Sequence, residues 1–152
     1  MLMGIPPILG PDLLAALRAM GHGDEIAIVD GNYPALEHAR RLVRADGHGL
    51  VALLDAVLCL LPLDRDVTDP VLRTGWRNDP ALVTPLQMEI EAVVGRRAPG
   101  RGVRPLAGAA FYERVRTCHV VVASSEPQLY ANVILRKGTI APPEPDVISR
   151  QG

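Results

Sequence analysis

Cysteine is scarce in this chain. Cys59 and Cys118 are the only two in 152 residues, far apart and without ligand spacing, so neither a disulfide framework nor a zinc site is expected. Each reads as a small apolar residue, Cys59 in a helical run and Cys118 before a strand, and reduced thiols fit a cytoplasmic location. An excess of one charge is lacking as well. Sixteen Lys and Arg face 17 Asp and Glu, a net charge of −1 that gives no electrostatic reason to expect nucleic acid. Arg96, Arg97, Arg101 and Arg104 do cluster, but among glycine and proline and without interleaved aromatics, which is the pattern of a solvated loop. Long hydrophobic runs are missing too. The longest, Leu50 to Leu61, is broken by Asp55 and too short to cross a bilayer, and Met1 to Gly10 has no basic stretch, so neither secretion nor membrane insertion is expected. The glycines form no phosphate-binding fingerprint, Ser124-Ser125 lacks the elbow of a hydrolase nucleophile, and no repeat is present.

What remains is a soluble globular composition, 48% hydrophobic and 22% charged, with length for one domain and its own core. That domain is expected over residues 1–141. Residues 142–152 form a tail with three prolines and little to bury, expected to extend along a neighbour or to be disordered. Strands and helices alternate, which favours a layered α/β fold.

Pro11 and Asp12 suit a helix start, Leu13, Leu14, Leu17 and Met20 have helical spacing, and Gly21 is expected to close that helix. Ile26 to Val29 is short, apolar and β-branched, the pattern of a buried parallel strand ending at Asp30. Ala35 to Arg44 admits two readings, a helix on the spacing of Leu36, Ala39 and Val43 or a short edge strand over Arg41 to Arg44. Leu50 to Leu61 reads as a core helix ended by Pro62, and Pro70 to Pro80 as a short strand and loop in which Trp76 packs. Thr84-Pro85-Leu86-Gln87 has the capping-box arrangement for a helix running to Arg97. Ala98 to Arg104 reads as a loop, Ala109 to Thr117 as a helix, and His119 to Ala123 and Asn132 to Leu135 as strands joined by a turn.

In an open α/β sheet, ligands bind beyond the carboxyl ends of the strands, where Asp30, Gly31 and Asn32 fall. His22 falls at the other end of that strand, and reaches Asp30 only if its loop curls back over the sheet or a second subunit completes the site. A histidine after a helix glycine also has an ordinary role as partner of the helix dipole. His38, His48 and His119 read as structural or solvated.

Five segments, in order and at similar spacing over nearly the whole chain, resemble the sugar mutarotase family that includes fucose mutarotase and ribose pyranase. They are Met20-Gly21-His22-Gly23-Asp24-Glu25, Asp30 with Tyr33-Pro34, Arg44-Ala45-Asp46-Gly47, Phe111-Tyr112-Glu113-Arg114, and Tyr130 through Gly138. The resemblance implies a three-layer α/β/α single domain with a mostly parallel central sheet, a ring-like homo-oligomer, and sites near subunit contacts. It implies that His22 is the proton donor and that Asp30, Tyr130, Ala131 and Asn132 bind a monosaccharide, with no metal or cofactor. The reaction so implied opens and recloses the ring of a reducing sugar, for which a histidine titrating near neutral pH is suited. Asp24 either orients the imidazole or caps the turn. One position departs from the family: Gly108 stands where fucose mutarotases carry a sugar-contacting arginine and the ribose type a histidine, and Arg104 is the nearby candidate substitute. That departure keeps open a second reading, a catalytically weak sugar-binding or transport-associated accessory protein on the same scaffold.

Overall fold

The computed structural model describes residues 1–150. Helix α1 (Pro11–Ala19) has proline in its first turn and Asp12 and Arg18 at the ends that favour their charges. It stops at Met20, whose backbone is extended. Gly21 does not supply the expected left-handed ending. The Lys137 ammonium does that work, donating to the carbonyls of Leu17 at 3.0 Å and Met20 at 2.6 Å, so two helix-end acceptors are satisfied by a side chain from the far end of the chain.

Strand β1 (Glu25–Val29) is buried along its whole length. The segment with two readings contains both elements, a one-turn helix α2 (Ala35–His38) followed by strand β2 (Leu42–Ala45). Helix α3 (Leu50–Leu58) ends one turn before Pro62, which leaves Cys59 exposed at its C-terminus rather than in the core, while Cys118 is buried. Strand β3 (Val71–Thr74) leads through a tight turn over Trp76–Asn78 to helix α4 (Pro85–Arg97), which opens with the full reciprocal Thr84–Gln87 capping box. The loop expected over Ala98 to Arg104 gives way at Val103 to a strand, β4 (Val103–Leu106). Its arginine and proline hide it in the sequence, and they are tolerated because β4 pairs only with β3 at the sheet's edge. Helix α5 (Gly108–Thr117) and strands β5 (Val120–Ser124) and β6 (Val133–Arg136) complete the fold.

The sheet order is β2-β5-β1-β6-β3-β4. The pairs β2–β5, β5–β1 and β3–β4 are parallel, and β6 alone runs against its neighbours β1 and β3. Alternation along the strands makes two cores. Ile26, Ile28, Val120 and Val122 face α1, α3 and α4, whereas Ala27, Val29, Val121 and Ala123 face Phe111 and Val115 of α5 and Ala35 of α2. The result is the three-layer α/β/α domain with a mostly parallel sheet. Residues 142–150 of the expected tail carry no helix or strand and are exposed, and 151–152 lie outside the described residues. Among the described residues no helix is long and apolar enough to cross a membrane.

Candidate functional site

Because five strands point one way, the sheet has a carboxyl edge, at Asp30, Gly75, Ala107 and Ser125, where β6 begins, and an amino edge, where β6 ends. The polar residues singled out in the sequence divide between these two edges.

At the carboxyl edge, Asp30 is 5% exposed and Asn132 4%. The Asp30 N–H donates to Asn132 Oδ1 at 2.8 Å, and Asp30 Oδ1 accepts from the Asn32 N–H at 2.9 Å. Burial pushes the Asp30 carboxyl up from its ordinary range, and hydrogen bonds from the backbone of Asn32 and Ala131 pull against that rise. The Asn132 side chain thus accepts from the Asp30 N–H and also hydrogen-bonds the Asp30 carboxyl, so the two residues form one polar unit. Tyr130 sits in the left-handed region at φ 59°, and its carbonyl is held by Thr74 Oγ1 at 2.5 Å and Gln87 Nε2 at 3.0 Å. A cleft of about 350 Å³ opens beside Asp30 and Tyr33. Tyr33 bonds His38 Nδ1 at 2.8 Å, and Arg116 approaches His38 Nε2 at 3.1 Å, so His38 is a buried structural residue.

At the amino edge, His22 follows α1 with its side chain 44% exposed. Its Nε2 lies 3.1 Å from Asp64 Oδ1 and 3.4 Å from Asp66 Oδ2. A carboxylate can only accept, so Nε2 is the donor in both contacts, and Nδ1 is the ring nitrogen they leave uncommitted. Asp64, 1% exposed, also takes Arg136 Nε at 2.7 Å and the Asp66 N–H at 3.0 Å. These donors, the Asp66 N–H foremost, hold its carboxyl well below the usual carboxylate range. Asp24 is not the imidazole's partner. It accepts the Gly21 N–H at 2.8 Å and caps the turn, while Gly23, at φ 85°, donates to the Lys137 carbonyl. His22, Asp64 and Asp66 bring one ligand atom each within 4.8 Å, a set with the chemistry to hold a cation, although Arg136 already neutralises Asp64.

The structure therefore brings Asp30, Tyr130, Ala131 and Asn132 together and sets His22 apart. Along the five-residue β1 the two edges are separated by roughly 17 Å. Arg104 does not stand in for a side chain at position 108, because it lines a cleft at the amino edge with Glu25, Arg114 and Arg136. Sequence reading missed Asp64 and Gln87. Asp64 reaches His22 through the single bridge Leu63–Lys137, a pairing with no local signal, and Gln87 was legible only as a helix cap.

A doubly covered open sheet with polar clusters at its two edges defines a single-domain α/β protein, an architecture in which small ligands bind beyond the carboxyl edge. Comparison with known proteins gives the family. The profile of the RbsD / FucU transport protein family matches residues 3–140. Human fucose mutarotase is 42% identical over 146 residues, covering 92% of this chain and 95% of that protein. FucU from Bifidobacterium longum superposes with a TM-score of 0.84 at 36% identity, covering 91% of this chain and 99% of that one. The fucose mutarotase from Streptococcus pneumoniae, solved in complex with L-fucose, superposes with a TM-score of 0.79 at 36% identity, covering 92% and 100%. The chain belongs to the RbsD / FucU family.

Proposed function

We propose that this protein is a cofactor-independent isomerase that interconverts the anomeric or ring forms of a reducing monosaccharide, fucose-like or ribose-like. The observation that carries the proposal is the pairing of a half-exposed imidazole with a buried carboxylate, His22 on Asp64, in a chain whose relatives are fucose mutarotases.

The chemistry is balanced within the sugar. One group takes the proton of the anomeric hydroxyl and another protonates the ring oxygen. The bond between the anomeric carbon and the ring oxygen breaks to give the open aldehyde, and closure on either face reverses both transfers. His22 is the proton donor, its ring fixed by Asp64, and positioned acid or base catalysis of this kind contributes roughly 10²–10⁴-fold. Asp30 and the amide of Asn132 hold sugar hydroxyls, Tyr130 adds its ring and hydroxyl, and Ala131 acts through its N–H, which holds Asp30. A sugar on Asp30 is out of reach of the same chain's His22, so the working unit is a homo-oligomer, ring-like, in which the amino edge of one subunit meets the carboxyl edge of the next. The site belongs to residues 1–141. A cytoplasmic location fits its two free thiols.

Saturation-difference NMR of anomer exchange tests this on fucose, ribose and galactose with wild type and His22→Ala. Accelerated exchange in wild type that disappears in the variant is expected. Sugar binding with no acceleration for any sugar overturns the isomerase in favour of a binding protein.

A further inference from the structure

Among the described residues, three non-glycine residues have positive φ, and all three lie at one corner of the carboxyl edge. They are Arg77 at 52°, Asn78 at 63° and Tyr130 at 59°. Two consecutive left-handed residues without glycine are costly and persist only where the surroundings impose them. Here the surroundings are on view. The Trp76 N–H donates to the Leu82 carbonyl at 3.1 Å, the Asn78 N–H to the Gly75 carbonyl at 3.1 Å, and the Asp79 N–H to the Trp76 carbonyl at 3.0 Å. Gly75 lies so close to the Asp79 carbonyl that no side chain fits there. The Trp76 ring stands edge-on to Tyr130 at 5.4 Å, and Thr74, at the root of the turn, bonds the Tyr130 carbonyl. The turn and the Tyr130 segment are thus one packed unit.

This unit delivers the Asn78 carboxamide onto Gly108. A Cβ at Gly108 would stand 2.5 Å from Asn78 Oδ1 and 2.9 Å from its Nδ2, so the side chain of residue 78 occupies the room that residue 108 leaves. Among the described residues no hydrogen bond holds that carboxamide, although the backbone beneath it is fixed by several. We infer that Asn78 is a specificity-determining residue of the sugar site, a neutral carboxamide held over Gly108 to read a sugar hydroxyl. The inference rests on the sugar-site reading of Asp30, Tyr130 and Asn132. An amide offers one acceptor and two donors in a plane and no charge. At that wall the selection is by hydroxyl configuration and not by charge.

The clean variant is Asn78→Gly, because glycine takes φ 63° without strain and only the carboxamide is lost. Asn78→Asp, which keeps the shape and the left-handed tolerance, is its companion. Saturation-transfer binding and anomer exchange are read in the same samples on L-fucose, on L-galactose, which adds one hydroxyl to it, and on the epimers D-arabinose and D-ribose, with a thermal midpoint as the control for folding. The ratio of affinities between the best sugar and its nearest analogue is expected to fall about tenfold in Asn78→Gly, the worth of one hydrogen bond, with the loss in kcat/KM falling on KM more than on kcat. An unchanged ratio in a folded Asn78→Gly overturns the inference. Wild type that binds selectively but does not accelerate exchange overturns the isomerase and leaves the Asn78 result decided by binding. Wild type that binds none of the four sugars overturns both.

Discussion

Two aspartates in this chain titrate in opposite directions, and each carries a different consequence. Asp64 has its carboxyl held far down by the Asp66 N–H, Arg136 and His22. An acid depressed on folding adds stability that is full above its unfolded value, near 3.9, and is lost as pH falls through the folded one. The thermal midpoint of wild type is therefore expected to drop as pH is lowered below about 4, and the Asp64→Asn variant to show a shallower drop over the same range. At neutral pH that variant costs about 2 kcal/mol, a charge-assisted hydrogen bond lost beside Arg136, and it slows anomer exchange by releasing the imidazole. Asp30 has the opposite sign, because burial raises it. An acid raised on folding is stabilising below its unfolded value, and that contribution is lost as pH rises through the folded one, so at neutral pH Asp30 is a cost to the fold, as expected of the proposed sugar-binding residue. Asp30→Asn keeps an acceptor for the Asn32 N–H and removes the buried charge. Calorimetry is expected to give a thermal midpoint equal to or above wild type, while sugar affinity falls at least about tenfold. A lower midpoint with intact affinity would make Asp30 a structural residue.

Helix α4 shows how an element can be legible while its purpose is not. Threonine, proline and glutamine in the spacing of a capping box announce its first turn from the sequence alone, and the structure contains that box. What the spacing cannot say is that the same Gln87 side chain, fully buried, turns its amide N–H groups to the carbonyls of Thr74 and Tyr130 at 3.0 Å each. It thereby ties the start of α4 to the ends of β3 and the Tyr130 turn. Helices and the valine-rich central strands were readable because periodicity and β-branching are local. Strand β4 was not, since Arg104 and Pro105 are acceptable only at an edge, and edge position is a property of the whole sheet. Asp64 was unreadable for the same reason, its partners lying 42 and 72 residues away. Gln87→Leu is predicted to destabilise by roughly 2–3 kcal/mol, since it unpairs the Thr84 N–H of the cap and removes one of the two donors on each of the Thr74 and Tyr130 carbonyls. Because the Tyr130 carbonyl then keeps only the Thr74 hydroxyl, its turn is held less firmly, and sugar affinity should fall with it. A denaturant midpoint paired with a sugar titration checks both, and a stability loss with unchanged affinity would separate α4 from the site.

The whole molecule holds two polar clusters that one chain does not bring together. His22 with Asp64 stands at the amino edge, Asp30 with Asn132 at the carboxyl edge, and a buried strand of five residues lies between them. Bending the His22 loop across the sheet is not available, because its N-terminal side is pinned by Lys137 to the end of α1 and Gly23 is paired with the Lys137 carbonyl. If the two clusters serve one sugar, they meet between subunits, and a mixing experiment reads this directly. His22→Ala and Asp30→Asn are each expected to be inactive alone. Co-refolded in equal amounts, they should regain about a quarter of wild-type anomer exchange, since about a quarter of the contacts between neighbours then pair an intact His22 with an intact Asp30. A site complete within one chain regains nothing, because every chain in the mixture is defective. Measured thermal midpoints of both variants near wild type make silence in the mixture speak against the shared site rather than against folding.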